Sequence, residues 1–139
     1  MLRMSRNIAL FLLVGGLLLG TWAFWTNAND QKSAEEAYNS AAPAELSSVA
    51  EKGRLVFNQN CAVCHGRDAL GGDGGPPLIH KIYEPSHHGN GSFRIAVQQG
   101  VRQHHWKFGD MPAQPHVTAD EVELIISWVR EAQRAVGIN

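Results

Sequence analysis

Cys61-Ala62-Val63-Cys64-His65 is the stretch that decides how this chain is read. Two thiols three residues apart, followed at once by an imidazole, form the attachment pattern for a c-type haem. The spacing has a chemical reason. On a turn of helix, two cysteines at that separation reach the two vinyl groups of one haem, and thioether bonds then hold the porphyrin permanently. His65 follows directly, which puts its imidazole under the iron as proximal ligand. Two other chemistries use paired cysteines. A thioredoxin-like redox pair wants a βαβ pattern around it, and none is visible. A zinc site wants two further ligands; His80, His87, His88, His104, His105 and His116 could supply them, but there is no second cysteine pair. The sequence holds 2 cysteines, both in this motif, so it provides one haem site and no disulfide framework.

Size and charge agree with that reading. A chain of 139 residues has room for one modest domain. If the folded part starts near Ser48, roughly 90 residues must build a core, a size at which burial is marginal and a large apolar cofactor supplies missing interior. Basic and acidic residues nearly balance, 12 against 13, so nucleic acid is an improbable partner.

Ahead of the domain, Arg3 and Arg6 precede a charge-free run from Ile8 to Trp25. As a helix it spans about 27 Å at roughly 1.5 Å per residue, a little short of a bilayer's hydrocarbon core. Trp22 and Trp25 would sit at the outer interface and the arginines would hold the N-terminus inside. Residues 1–26 are therefore read as a single-pass anchor in the cytoplasmic membrane, with the following domain on the periplasmic side. Cleavage as a signal peptide, leaving a soluble periplasmic protein, is the alternative, and Thr26-Asn27-Ala28 is only a fair cleavage site. Residues 27–47, rich in Ala, Asn, Ser and Glu, are read as a linker, and 48–139 as the domain.

Ser48 with Glu51 reads as a capping box opening a helix, and Val49, Gly53, Val56, Phe57 and Asn60 fall along one face of it. Thr118 with Glu121 reads as a second box, followed by the apolar stripe Val122, Ile125, Ile126, Val129 and Ala132, which ends before Gly137. Gly53 inside a helix costs about 1 kcal/mol against Ala. Its presence predicts that the two terminal helices cross there, with Phe57 and Trp128 beside the crossing. Between them lie a loop from Gly66, the rigid turn Gly75-Pro76-Pro77-Leu78, a short helix capped by Ser92 that stops at Gly100, and the loop Trp106-Lys107-Phe108-Gly109-Asp110-Met111-Pro112.

With these residues placed, 48 to 137 resembles the class I cytochromes c, the membrane-anchored bacterial monohaem type. The resemblance implies a mainly α, small helical cytochrome c fold, with crossing N- and C-terminal helices around one covalently bound haem and a hydrophobic helix in front. Cys61, Cys64 and His65 correspond to the attachment cysteines and proximal ligand. Gly75-Pro76-Pro77-Leu78 resembles the turn whose proline carbonyl accepts the proximal ring N–H, here Pro76. Met111-Pro112 resembles the distal pair, with the Met111 thioether as sixth ligand. Trp106 is read either as bonding a haem propionate through its indole N–H or as a plain core residue. His104 and His105 are rivals to Met111, while His80, His87, His88 and His116 are read as solvated loop residues.

The implied function is single-electron transfer between membrane-associated redox partners, a donor and an acceptor, without catalysis. The alternatives are a haem enzyme or gas sensor with a displaceable distal ligand, and a fixed cytochrome c subunit of a larger membrane oxidoreductase.

Overall fold

Ser47 opens the folded part of the chain, in a computed structural model that describes residues 46–139, with Lys32 and Glu36 ahead of them. The expected anchor, 1–26, and nearly all of the expected linker lie outside the described residues. Among the described residues no helix is long and apolar enough to cross a membrane. The fold is mainly helical. Helix α1 spans Ser48–Asn60, α2 Ala62–His65, α3 Asn90–Gln99 and α4 Ala119–Ala135, with 3-10 turns at Arg67–Ala69 and Lys81–Tyr83. Among the described residues the only strand-like pairings are two isolated bridges, Gly72 with Gly75 and Val101 with Met111.

Helix α1 starts differently from the expectation. Its cap is Ser47, whose Oγ accepts from the Ala50 N–H, and Glu51 sits one position too late to reach back. The carboxylate that completes the cap belongs to Glu131 of α4, which accepts from Ser47 N–H at 2.7 Å and Ser47 Oγ at 2.8 Å. The cap thus ties the two terminal helices together. The buried face of α1 is also rotated: Ala50, Gly53 and Phe57 go inside while Val49 stays 47 % exposed. The second box forms as expected, with Glu121 N–H donating to Thr118 Oγ1 and the Glu121 carboxylate accepting from Thr118 N–H. Helix α3 begins earlier than expected, at Asn90 behind Gly89, and Ser92 instead donates its hydroxyl to Gly89 O; its stop at Gly100, φ 79°, is as expected.

Helices α1 and α4 cross at Gly53. A Cβ on Gly53 would lie 2.0 Å from Leu124 O and 3.0 Å from Trp128 Cβ, so only glycine allows the approach. Beside the crossing, the Phe57 and Trp128 rings pack at 5.0 Å between centroids, both fully buried. The stripe Val122, Ile125, Ile126, Val129 and Ala132 is buried throughout. Two polar residues flank it inside the protein. Arg130 donates to Asn90 Oδ1, Tyr83 O, Gln133 Oε1 and His88 O, and its guanidinium lies 4.9 Å from the Phe93 ring centroid. Gln133 donates to Leu78 O and Tyr83 O. Buried polar groups are tolerated only when satisfied in this way, and here their partners pin the loop after Leu78 to α4.

Directly after the haem motif the backbone turns left-handed at two residues that are not glycine, Asp68 (φ 56°) and Ala69 (φ 60°). Such backbone is held by its surroundings. Asn58 and Asp68 bond reciprocally, Asn58 Nδ2 to Asp68 Oδ1 and Asp68 N–H to Asn58 Oδ1, and Arg54 forks onto the same carboxylate at 2.8 and 3.1 Å. Burial raises the Asp68 pKa, but the hydrogen bonds from Arg54 and Asn58 outweigh it and hold the carboxyl below its ordinary 3.8. A folded pKa below the unfolded one means stability that is complete above about pH 4 and is lost as pH falls through the depressed folded value. Asp68→Asn should therefore cost about 2 kcal/mol near neutrality and flatten the acid limb. Denaturation midpoints of both proteins from pH 7 downward check this; parallel curves would exclude Asp68 as a source of acid sensitivity.

Candidate haem site

Helix α1 runs almost without a break into α2: Cys61 N–H donates to Phe57 O, and His65 N–H to Cys61 O. This puts the motif on the end of the element that crosses α4, so the crossing helices position His65. Cys61 is half-buried and Cys64 exposed, and neither is in a disulfide. Burial, with a smaller contribution from Cys64, pushes the Cys61 thiol up to about 11, which keeps it neutral.

His65 Nδ1 donates to Pro76 O at 2.9 Å. A carbonyl only accepts, so Nδ1 carries the hydrogen and Nε2 keeps its lone pair, the tautomer a metal ligand needs. Burial lowers the His65 pKa, with the Pro76 bond acting against it, so the ring stays neutral. Gly75 makes the turn fit. A Cβ there would come 3.1 Å from His65 Nδ1 and 3.2 Å from Cε1, and one on Gly74 would come 3.4 Å from Cys64 Sγ.

Both Cys61 and His65 open onto a cavity of about 510 Å³. Met111, Pro76 and Trp106 line it too, so one cavity receives every predicted site residue except the exposed Cys64. Met111 is set by its bridge to Val101, two backbone bonds of 2.9 Å. Gly100 packs under it so closely that a Cβ would lie 2.4 Å from Met111 O. The remaining apolar wall comes from Phe57, Leu78, Phe93, Val97 and Ile125. At the same cavity the Trp106 indole N–H is buried and makes no hydrogen bond of full geometry, although the Tyr83 hydroxyl lies close enough to interact with it. A buried donor without a full hydrogen bond costs on the order of 1–3 kcal/mol, which an acidic group entering with a ligand would remove. Arg102 and Gln103 line the same cavity and add polar groups suited to a carboxylate. An apolar slot with a neutral imidazole, a thioether and a waiting indole N–H fits a haem with its propionates.

One finding decides the point: the family model for cytochrome c matches residues 50–133. The chain belongs to the cytochrome c family. This cytochrome c accordingly carries covalently bound c-type haem and serves haem-based electron transfer. No curated protein and no solved structure matches the chain.

The histidines that sequence reasoning set aside are not equivalent in this cytochrome c. His80 is half-buried, accepts from Ile82 N–H through Nδ1 and packs edge-on against Trp106 at 5.1 Å. His88 is half-buried and hydrogen-bonded to Ile82 O. His116 is exposed, as expected. His88, His104 and His105 line the cavity. Desolvation first, and the neighbouring His104, His88 and His87 next, lower the His105 pKa. Tyr83, which sequence reasoning missed, also lines the cavity, and burial pushes its hydroxyl up to about 12. A lone tyrosine in a polar loop gave no signal beyond its aromatic character.

Proposed function

We propose that this protein is a class I, single-haem electron carrier in which His65 and Met111 are the two axial ligands, and that it does not catalyse a reaction on a bound substrate. The observation that carries the reading is one cavity lined by both the tautomerically fixed His65 and the backbone-fixed Met111. When bound, haem supplies a one-electron redox centre whose potential follows from axial ligands, burial and hydrogen bonding. Cys61 and Cys64 hold it covalently, Pro76 orients the His65 ring, and Trp106 supports a propionate. The thioether of Met111 raises the potential, and the apolar wall restricts water.

Residues 8–25 fix the protein to the cytoplasmic membrane with the haem domain on the periplasmic side, and the donor and acceptor are membrane-associated redox proteins. Support comes from the charge-free run, its tryptophan flank and the preceding arginines.

Carbon monoxide tests the closed site. The reduced haem-loaded protein should bind it slowly and incompletely at neutral pH, because the thioether must first leave the iron. Fast and complete binding would put a haem enzyme or gas sensor ahead of the carrier.

A further inference from the structure

Among the described residues, the group of potential metal ligands outside the haem motif is a patch of histidines drawn from two loops. One ligand nitrogen each from His87, His88 and His105 lies within 4.8 Å of the other two. The two closest, His87 Nε2 and His105 Nε2, are 3.2 Å apart. A tetrahedral zinc ion with nitrogens at 2.0–2.1 Å holds neighbouring ligand nitrogens about 3.3 Å apart, so this pair already has the required separation. His88 is prepared in a different way. Its Nδ1 lies 2.8 Å from Ile82 O and must donate to it, which leaves Nε2 as its free lone pair. That is the carbonyl-to-imidazole support found behind metal-bound histidines.

The loop that carries two of the three is not loose. Arg130, buried in α4, donates to the carbonyls of Tyr83 and His88 and to the side chain of Asn90, bracketing His87 and His88 on both sides. His105 is flanked by His104, whose own Nδ1 donates to Arg102 O at 2.8 Å and whose ring packs 4.3 Å from that of His105. An alternative account of the patch is a mutual N–H to N hydrogen bond between His87 and His105. That accounts for two rings but not for the third, His88, which brings a ring nitrogen within 4.8 Å of both.

We propose that His87, His88 and His105 form a binding site for a divalent transition metal, with zinc as the best fit, at the edge of the haem cavity. The ligand set is three imidazole nitrogens, which suits zinc and copper and not magnesium or calcium, whose preference is for oxygen. His87 and His105 are exposed, so the ion enters from solvent, and a water completes the tetrahedron. The site rests on the mutual geometry of the three rings and not on Met111, and it requires that His105 is not itself an iron ligand.

The test uses the full, haem-loaded protein and Zn²⁺ itself, by calorimetric titration with metal analysis after dialysis. One ion per chain should bind, Ca²⁺ and Mg²⁺ should not compete, and Cu²⁺ should displace zinc in the Irving–Williams order. His87→Ala and His105→Ala should each weaken binding by at least about tenfold, the smaller end of what loss of even a supporting group costs at metal sites. His116→Ala, an exposed histidine outside the patch, should leave it unchanged. His87→Ala should keep the haem absorption spectrum of the parent, which shows that the fold is intact. Equal affinity in the parent and in both patch variants, or a loss as large in His116→Ala, would overturn the proposal.

Discussion

Gly53→Ala should destabilise the haem-loaded protein by about 3 kcal/mol or more, at the upper end of what overpacking a core costs. The added Cβ would meet Leu124 O at 2.0 Å and its carbonyl carbon at 2.5 Å. Both are backbone atoms of a helix, which no side-chain rotation moves away. Alanine gains about 1 kcal/mol of helix propensity over glycine, too little to offset the clash. Helices α1 and α4 must then separate, loosening the 5.0 Å packing of Phe57 on Trp128 and the Ser47 to Glu131 cap. Against a total stability of about 5–15 kcal/mol, this is a large fraction. Because Phe57 also packs 6.4 Å from the His65 ring, the proximal side should feel the change. Denaturant midpoints of the two proteins check it; an unchanged or raised midpoint would mean that the helices do not pack this closely.

Met111→Ala should have the largest effect on function. The parent side chain lines the cavity that His65 enters, and its backbone is clamped to Val101 and supported by Gly100. Alanine keeps those backbone bonds and removes only the thioether, so the fold should persist while the axial position opens. Carbon monoxide should then bind the reduced protein fast and completely. The potential should fall by on the order of 0.1 V or more, within the roughly 0.8 V span that axial ligands cover. His104 and His105 line the same cavity, so a second imidazole taking the vacated position would lower the potential further while slowing carbon monoxide again. A variant identical to the parent in both respects would remove Met111 from the axial set.

What the sequence made legible was local chemistry and the strongest periodic signals. The haem motif, the Gly75-Pro76 turn behind His65, the Thr118 box and the crossing at Gly53 each rest on a few residues whose spacing or type has one dominant physical use. What stayed hidden depended on distant partners. The α1 cap was placed one residue late because its carboxylate, Glu131, comes from the other end of the domain. Arg130 and Gln133 sit beside an apolar stripe, which hinted at burial, but their acceptors are loop carbonyls more than 40 residues away. Asp68 and Ala69 adopt left-handed backbone because Asn58 and Arg54 hold them there, and neither residue type announces it. Each histidine is read singly from the sequence, His87 as solvated and His105 as a rival to Met111, whereas folding brings the two to 3.2 Å.

The axial pair is the central claim, and the absorption spectrum of the oxidised protein tests it most directly. A thioether sulfur bound to ferric haem gives a weak far-red charge-transfer band that imidazole, water and hydroxide do not. At neutral pH the oxidised parent should show that band, and Met111→Ala should lack it. An oxidised parent with no far-red band, and a spectrum the same as that of Met111→Ala, would contradict axial ligation by His65 and Met111.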